Sequence, residues 1–270
     1  MRTAVSEVFE SKTLLIGMVH LPALPGAPQY SGSRDELRAR ALADSLALAE
    51  NGIDGVLIEN YGDEPFYPDD VPTHVVSELT ATVRELAIAL DIPFGVNVLR
   101  NDAQAALAVA AATGGSFIRV NVHTGSQVTD QGLLEGTAHE TLRLRERLDA
   151  DVSILADIDV KHATALRERD IAAVARETID RGLADALVVS GPETGTPVDD
   201  TQLLEILDAR DEATREVPVL LGSGVTPANA PDLLEHADGA IVGTALKYDE
   251  KTTNRVDPDR VSALVSSLSV

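Results

Sequence analysis

The chain has no cysteine and no tryptophan among its 270 residues, and only 3% of its residues are aromatic. Without cysteine there is no disulfide, thiol nucleophile, cysteine-ligated zinc or iron–sulfur cluster. No apolar run approaches the roughly 20 residues that a membrane-spanning helix needs. The first residues, MRTAVSEVFESKT, lack the apolar core of a signal peptide. We therefore expect a cytoplasmic protein with no membrane span.

Positive charge is also scarce. Lys and Arg number 22 against 44 for Asp and Glu, which gives a net charge of −22, and only four of the cations are lysines. Nucleic acids and anionic membranes attract basic proteins, so the net charge disfavours both, and we expect no nucleic-acid partner. Acidic surfaces with small apolar residues are typical of salt-adapted proteins, and no acidic run is long enough to form a binding tail. We expect a halophilic source.

Short apolar runs alternate with helical patterns along the whole chain. The runs predict eight strands, at 14–21, 55–60, 93–99, 117–122, 153–159, 186–191, 218–224 and 239–245. Each run is nearly continuous in apolar residues, as in strands that are buried on both faces of a parallel sheet. Predicted helices follow them at 34–51, 73–90, 102–113, 133–149, 170–182, 199–213, 227–235 and 258–268.

Eight successive strand–helix units predict an α/β protein, a single (β/α)8 TIM barrel over residues 1–270. The structural alternative is an open, doubly wound sheet. Such sheets usually have a G-x-G-x-x-G turn after the first strand, whereas LPALPGAPQYSG follows it here. No linker or low-complexity segment divides the chain.

Polar side chains at the C-terminal ends of the predicted strands are the candidate site, because substrates of TIM barrels bind there. The predicted catalytic residues are Asp157, Asp159, Lys161, Glu59 and His20. Strand alternation places Asp157, Asp159 and Lys161 on one face, where they could transfer protons. Lys161 could instead form a Schiff base with a carbonyl substrate. The competing interpretation is a solvated loop in which Lys161 merely pairs with Asp159.

Further polar residues are predicted to bind substrate. Arg119 and Asn121 lie two apart on the fourth strand and share a face. Arg119 could form an interior salt bridge with Asp157 or Glu59, or it could face the substrate as a cation. If the backbone turns near residue 160, His162 rather than Lys161 faces the barrel mouth. Asn97 and His162 complete this polar part of the predicted binding set.

The last three strands end in small residues, which let backbone N–H groups approach an oxyanion closely. The residues concerned are Ser190, Gly191, Gly222, Ser223, Gly224, Gly243 and Thr244. A helix beginning after the seventh strand would add its positive end. Many TIM barrels bind phosphate between their last two strands, so we predict a phosphate site there. The alternative is that these residues only form tight turns.

No cofactor is predicted. The carboxylates of Glu59, Asp157 and Asp159 leave a divalent cation open, although no compact metal-binding motif is present. Two long loops hold half of the aromatic residues, and these loops indicate either a lid or a subunit contact. Those aromatic residues are Tyr30, Tyr61, Phe66 and Tyr67. We expect a homo-oligomer.

The chain resembles the BtpA/SgcQ family in a series of blocks from Leu14 to the closing VDPDRV. These blocks are IGMVHLPALPGAP, DGVLIENYGDEPF, GVNVLRNDAQAAL, FIRVNVHTG, ILADIDVKHA, VVSGPETG, LLGSGVTPAN and GAIVGTALK. The resemblance implies a barrel like those that bind ribulose phosphate. It also implies a role in photosystem I biogenesis, for which the family is named, or in carbohydrate use in other bacteria.

Two functions follow from these observations. The first is an isomerase or lyase that acts on a small phosphorylated sugar or phosphoribosyl compound. The second is a non-catalytic assembly or biogenesis factor that uses the barrel as a scaffold. An enzyme should have convergent, shielded polar groups at the barrel mouth, whereas a scaffold should have an exposed apolar patch.

Overall fold

The computed structural model describes residues 5–9, 13–158, 163–167, 169–191, 196 and 198–268. Eight parallel strands close into one barrel. In spatial order they are β1 (Leu14–His20), β2 (Gly55–Glu59), β3 (Phe94–Asn97), β4 (Phe117–Val120), β7 (Ser153–Asp157), β9 (Ala186–Val189), β10 (Val219–Leu221) and β11 (Gly239–Val242), after which β11 pairs with β1. The predicted TIM barrel is confirmed.

One helix precedes the first strand, and the others lie between or after the barrel strands and pack around them. They are α1 (Val5–Val8), α2 (Arg34–Ala49), α3 (Thr73–Ala89), α4 (Ala103–Thr113), α5 (Ala138–Arg147), α6 (Ile171–Asp180), α7 (Asp200–Asp211), α8 (Ala230–Leu233) and α9 (Pro258–Ser267). Three short 3-10 helices lie at Tyr61–Asp63, Thr244–Leu246 and Tyr248–Glu250. No helix within these described ranges is long and apolar enough to cross a membrane.

The barrel strands begin within one residue of the predicted starts and end one to three residues before the predicted ends. The apolar or small residues used for the prediction continue beyond the last paired residue. There the backbone leaves the sheet to form the loop toward the next helix. The candidate site residues therefore lie partly on strands and partly on the loops that follow them.

Side-chain alternation divides the core into two layers. Ile16, Leu57, Phe117 and Leu155 belong to one cluster, together with other alternate strand residues. Their neighbours along each strand, such as Ile58, belong to a second cluster that includes the helices. Successive strand residues point to opposite faces, so the first cluster fills the barrel and the second lies between barrel and helices.

The N-terminal helix α1 covers the lower end of the barrel. Phe9, which follows α1, is 5% exposed, and its ring centroid lies 5.8 Å from that of Phe117. A Cβ added to Gly55 would lie 2.7 Å from the Phe9 ring. Phe117 and Gly55 are the first residues of their strands, so Phe9 closes the end opposite the candidate site.

A second, three-stranded sheet was not predicted. Its strands are β5 (Ser126–Thr129), β6 (Gly132–Glu135) and β8 (Ala163–Ala165), in the antiparallel order β6-β5-β8. The helix expected from residue 133 begins only at Ala138. Asp130 and Gln131 form the two-residue turn of the β5–β6 hairpin, and such turns favour Gly, which occurs here one position later.

Candidate functional site

A cavity of about 580 Å³ opens at the C-terminal ends of the barrel strands. It contains most of the predicted site residues that the structure describes. The predicted residues that line it are His20, Glu59, Arg119, Asn121, Asp157, Gly222, Ser223, Gly224, Gly243 and Thr244. Their positions along the strands put them directly above the apolar filling of the barrel.

Asp157 is the centre of one polar network in the cavity. Its Oδ1 accepts a hydrogen bond from Nε of Arg119 at 2.9 Å, and its Oδ2 accepts one from Nη2 of Arg119 at 3.1 Å. Nδ2 of Asn121 also donates to Oδ2, at 2.9 Å. Arg119 therefore forms the interior salt bridge with Asp157 and also lines the cavity. Burial opposes its charge, but the charge and hydrogen bonds of Asp157, together with the charge of Glu59, outweigh that effect and raise the pKa of Arg119 above its usual value.

Glu59 is the centre of a second network. Its Oε2 accepts a hydrogen bond from Nδ2 of Asn97 at 2.7 Å, and its Oε1 lies 3.9 Å from Nε2 of His20. The side chains of Glu59 and His20 are each 9% exposed. A carboxylate and an imidazole in contact can exchange a proton with a bound substrate. Asn97 does not line the cavity and instead holds Glu59 from behind.

Tyr61 continues this network toward the cavity mouth. Its ring centroid lies 4.9 Å from that of His20 at an interplanar angle of 58°. Burial, together with the charges of Glu64 and Glu59, raises the pKa of Tyr61, while a hydrogen bond with Thr252 partly opposes that rise. Thr252 in turn contacts Thr244 through their hydroxyls at 2.8 Å. Two loops from the strands on either side of β1, after β2 and after β11, therefore meet at the cavity.

The small residues after β10 and β11 form a further part of the cavity wall. Neither the N–H of Gly224 nor the N–H of Thr244 donates a hydrogen bond within the described part of the chain. Both residues line the cavity. The segments 222–226 and 243–245 contain no carboxylate.

Gly222 was predicted to offer its backbone N–H to a phosphate, but this N–H already has a partner. Its N–H donates to the carbonyl oxygen of Val189 at 2.7 Å and continues the ladder between β10 and β9. A Cβ at this position would lie 2.3 Å from Oγ of Ser190. Gly222 therefore provides space rather than a donor.

Ser190 and Gly191 support this wall from outside the cavity. Ser190 is 4% exposed, and Oγ of Ser223 accepts the N–H of Gly191 at 2.8 Å. The same hydroxyl donates to the carbonyl oxygen of Thr196 at 2.9 Å. Neither Ser190 nor Gly191 lines the cavity.

The prediction of a helix at 227–235, after the seventh barrel strand, is wrong in its start and its length. α8 has four residues and begins at Ala230, and Oδ1 of Asn229 already accepts the N–H of Thr226 at 2.7 Å. The Thr-Pro-Ala-Asn sequence favours a capped turn before the helix can start. Any anion at this wall therefore relies on the loop N–H groups.

Asp159, Lys161 and His162 lie outside the described residues. Their predicted roles in catalysis and binding stay predictions, as does the question of which of Lys161 and His162 faces the mouth. His123, another histidine after β4, is buried and bonds through Nε2 to the carbonyl oxygen of Gly182 at 2.8 Å. Burial lowers the pKa of His123. This histidine is not a cavity residue.

Several cavity residues were not predicted as site residues. They are Met18, Tyr61, Glu64, Phe66, Leu99, Arg100, Asp130, Gln131, Val225, Thr226, Ile241, Val242, Ala245, Glu250 and Thr252. Tyr61 and Phe66 belong to the long aromatic loop after β2, whose length was the sequence feature that indicated a lid. Asp130 and Gln131 had no such indication, because the hairpin that brings them to the cavity was itself not predicted.

Lys247 is a further buried polar group that the sequence did not single out. It is fully buried, and its Nζ donates to the carbonyl oxygen of Met18 at 2.9 Å. Desolvation lowers its pKa to about 8, although the charge of Asp44 partly opposes this shift. Asp44 also accepts hydrogen bonds from Nε of Arg255 and the N–H of Val256. These contacts fasten the loop that carries Glu250 and Thr252.

Among the residues that the structure describes, no group of three or more His, Asp or Glu side chains could hold a metal ion. Asp159 and His162 fall outside that set. The expectation that the protein needs no cofactor stays a prediction.

Comparison with known proteins agrees with this architecture. The family model described as "BtpA family" matches residues 11–269. A photosystem I biogenesis protein BtpA from Synechocystis is 42% identical over 263 residues, which cover 97% of this chain and 90% of the relative. An uncharacterised protein of Thermococcus kodakarensis is 44% identical over 257 residues, 95% of each chain. These relatives come from different organisms and give no support to a halophilic source.

A solved structure of Mycobacterium tuberculosis tryptophan synthase has a similar fold. It superposes with a TM-score of 0.61 at 20% identity, covering 96% of this chain and 93% of the other. This likeness concerns the fold alone. The extent and the identity of the sequence matches show that the chain belongs to the BtpA family.

Proposed function

We propose that this protein is an isomerase or lyase that acts on a small phosphorylated sugar or phosphoribosyl compound. The observation that carries the proposal is one cavity lined by two kinds of polar group. Backbone donors at Gly224 and Thr244, on the loops after β10 and β11, form a donor wall. The buried carboxylates of Glu59 and Asp157, at the ends of β2 and β7, form a carboxylate wall.

The donor wall suits a phosphate group. Backbone N–H groups in loops of small residues bind oxyanions without a bulky side chain in the way. Phosphate held there would orient the rest of the substrate, and remote binding energy of this kind can be used at the reacting carbon.

The carboxylate wall suits a sugar. Ionised carboxylates accept hydrogen bonds and cannot donate them, so they match the hydroxyl groups of a polyol. Arg119 neutralises Asp157, which leaves that carboxylate as a fixed acceptor. Glu59 and His20 are the proposed acid–base pair for moving a proton between substrate atoms. Asp159 and Lys161 are further candidates for the same chemistry.

A thermal-shift panel tests the proposal. Ribose 5-phosphate, other sugar phosphates and phosphoribosyl compounds are compared with inorganic phosphate, because a ligand that binds only the folded state raises the melting temperature. We expect at least one sugar phosphate to shift the melting temperature well beyond inorganic phosphate. If none does so, the proposal fails.

Glu59→Gln separates catalysis from binding. We expect this variant to keep the thermal shift and to lose turnover, because the amide preserves the shape but cannot take up a proton. Glu146→Gln, an exposed change on α5, is the matched control and should behave like the wild type. Equal turnover in both variants would remove Glu59 from the mechanism.

The second candidate function is a non-catalytic biogenesis factor. It is supported by the name of the Synechocystis relative and by exposed apolar residues on the hairpin sheet. Val128 and Leu133 face each other across β5 and β6 and are 44% and 49% exposed. If no phosphorylated ligand binds, and Val128→Ser/Leu133→Ser abolishes assembly with a purified partner, this function replaces the first.

A further inference from the structure

The cavity is larger than a pentose phosphate requires. Its volume of about 580 Å³ falls in the range of about 300–1,000 Å³ that is usual for drug-sized ligands. Tyr61, Phe66 and Leu99 supply aromatic and apolar surface to its walls. A phosphate and a sugar would leave this surface uncovered. The volume and these side chains therefore fit a ligand with an additional planar group.

Two buried acceptor atoms in the cavity have no hydrogen-bond donor among the described residues. They are Oδ1 of Asn121 and Oε1 of Gln131. A buried acceptor without a partner is costly because it has lost its hydrogen bonds to water, so a donor on a ligand would be favourable at each. Asn121 lies beside Asp157 in the depth of the barrel, where sugar hydroxyls are proposed to bind.

Gln131 lies elsewhere, in the turn of the β5–β6 hairpin. Its Nε2 already donates to Oδ2 of Asp130 at 2.6 Å. That bond orients the amide group, and its Oε1 is a buried acceptor without a donor among the described residues. The carboxylate of Asp130 beside it is likewise an acceptor. The hairpin turn thus selects for a hydrogen-bond donor on the ligand.

We propose that the ligand class is a nucleoside 5′-monophosphate, with the base against Tyr61 and Phe66 and an N–H of the base donating to Oε1 of Gln131. The inference rests on the proposed function, because the phosphate and the ribose occupy the two walls described above. The base covers the aromatic surface. The hairpin turn makes the protein prefer a nucleotide over a sugar phosphate that has no base. Aromatic faces stack on any base, so the hydrogen bond to Gln131 supplies the selection.

Calorimetric titration tests this inference. The wild-type protein is titrated with ribose 5-phosphate, with the adenosine, guanosine, cytidine and uridine 5′-monophosphates, and with purine riboside 5′-monophosphate, which has no amino group. We expect at least one nucleotide to bind about tenfold or more tightly than ribose 5-phosphate, as one added hydrogen bond with stacking would give.

Gln131→Ala tests the hairpin turn. It should weaken the preferred nucleotide by about five- to tenfold, the effect of one hydrogen bond, and leave ribose 5-phosphate unchanged. Gln127→Ala is the matched control, since Gln127 lies on β5 of the same hairpin and does not line the cavity. It should change neither affinity.

The outcomes separate the two proposals. If ribose 5-phosphate binds as tightly as every nucleotide, the nucleotide inference is overturned while the sugar-phosphate function stands. If Gln131→Ala and Gln127→Ala behave alike, the role of the hairpin turn is overturned. If no phosphorylated compound binds, both proposals are overturned.

Discussion

Arg119 on β4 and Asp157 on β7 form a two-point ion pair across neighbouring barrel strands, with N–O distances of 2.9 and 3.1 Å. The two side chains are only 8% and 2% exposed. Removing both charges from water costs desolvation free energy. The two-point contact and the added hydrogen bond from Asn121 offset that cost. The pair fixes the position of an acceptor in the floor of the cavity.

Asp157→Ala should lower the free energy of unfolding by about 3–5 kcal/mol, because it leaves the charge of Arg119 buried without a partner. Urea denaturation measures the loss. The control is Glu212→Ala, which breaks the exposed Arg176–Glu212 pair at 3.2 Å and should cost less than about 1 kcal/mol. Arg119→Met/Asp157→Leu should recover much of the lost stability. Equal losses for the two single variants would contradict the argument.

Lys247 should make stability depend on pH in the alkaline range. Its folded pKa is about 8, against 10.5 for an ordinary lysine. Between these values the unfolded chain holds a proton that the folded protein has released, so unfolding takes up a proton and the free energy of unfolding rises with pH. The rise is up to about 3 kcal/mol, since one pKa unit corresponds to about 1.4 kcal/mol.

Comparison with Lys247→Met isolates this rise from other titrations. Urea denaturation between pH 7.5 and 10.5, read at about half-unit steps, should show the wild type gaining stability relative to the variant. Lys251→Met, at an exposed lysine, should follow the wild type. Parallel curves for the wild type and Lys247→Met would show that the buried amine does not titrate in this window.

Gly243→Ala should disturb His20. The φ of Gly243 is −116°, which any residue can adopt, but an added Cβ would lie 3.0 Å from Cε1 of His20. We expect the NMR resonances of the His20 ring to move and turnover of the sugar phosphate to fall. Gly115→Ala is equally crowded, with a Cβ 3.1 Å from that of Ala110, but it lies away from the cavity. If both variants leave the His20 resonances in place, the crowding has no effect on the site.

Phe9→Ala should destabilise the barrel from the end opposite the site. Removing a buried phenylalanine from a packed core typically costs about 3–5 kcal/mol. The readout is the urea midpoint of the full chain, with Leu148→Ala as the control at a side chain that is 45% exposed. An unchanged midpoint for Phe9→Ala would mean that α1 does not close the barrel in solution.

The alternation of apolar runs with helical patterns was sufficient to predict the barrel. The eight apolar runs are local features of the sequence. A strand that is buried on both faces is apolar at nearly every position, whichever elements pack against it. The alternation of side chains along each strand predicted that Arg119 shares a face with Asn121 and that Asp157 shares one with Asp159, and the roles of these residues stay predictions. It could not choose between a salt bridge and a substrate-facing cation for Arg119, because that choice depends on the strand beside it, which lies 38 residues away along the chain.

The hairpin sheet is the clearest failure of local reasoning. β5 and β6 are short, half-exposed strands with no strong apolar alternation. The pairing of β5 with β8 joins segments that are far apart in sequence. Gln131 therefore had no local feature that linked it to the cavity. Lys247 was missed for a related reason, since its burial comes from β1, more than 200 residues earlier in the chain.

The sequence by itself determined the fold class, the order of the strands, the family resemblance and the polar residues expected at the strand ends, because each apolar run and each matching block can be recognised without knowing its contacts. Only the tertiary structure decided which of these residues meet: Arg119 with Asp157, Glu59 with Asn97, and the hairpin turn with the cavity. Such contacts depend on closure of the barrel, which brings strand ends together across the whole length of the chain.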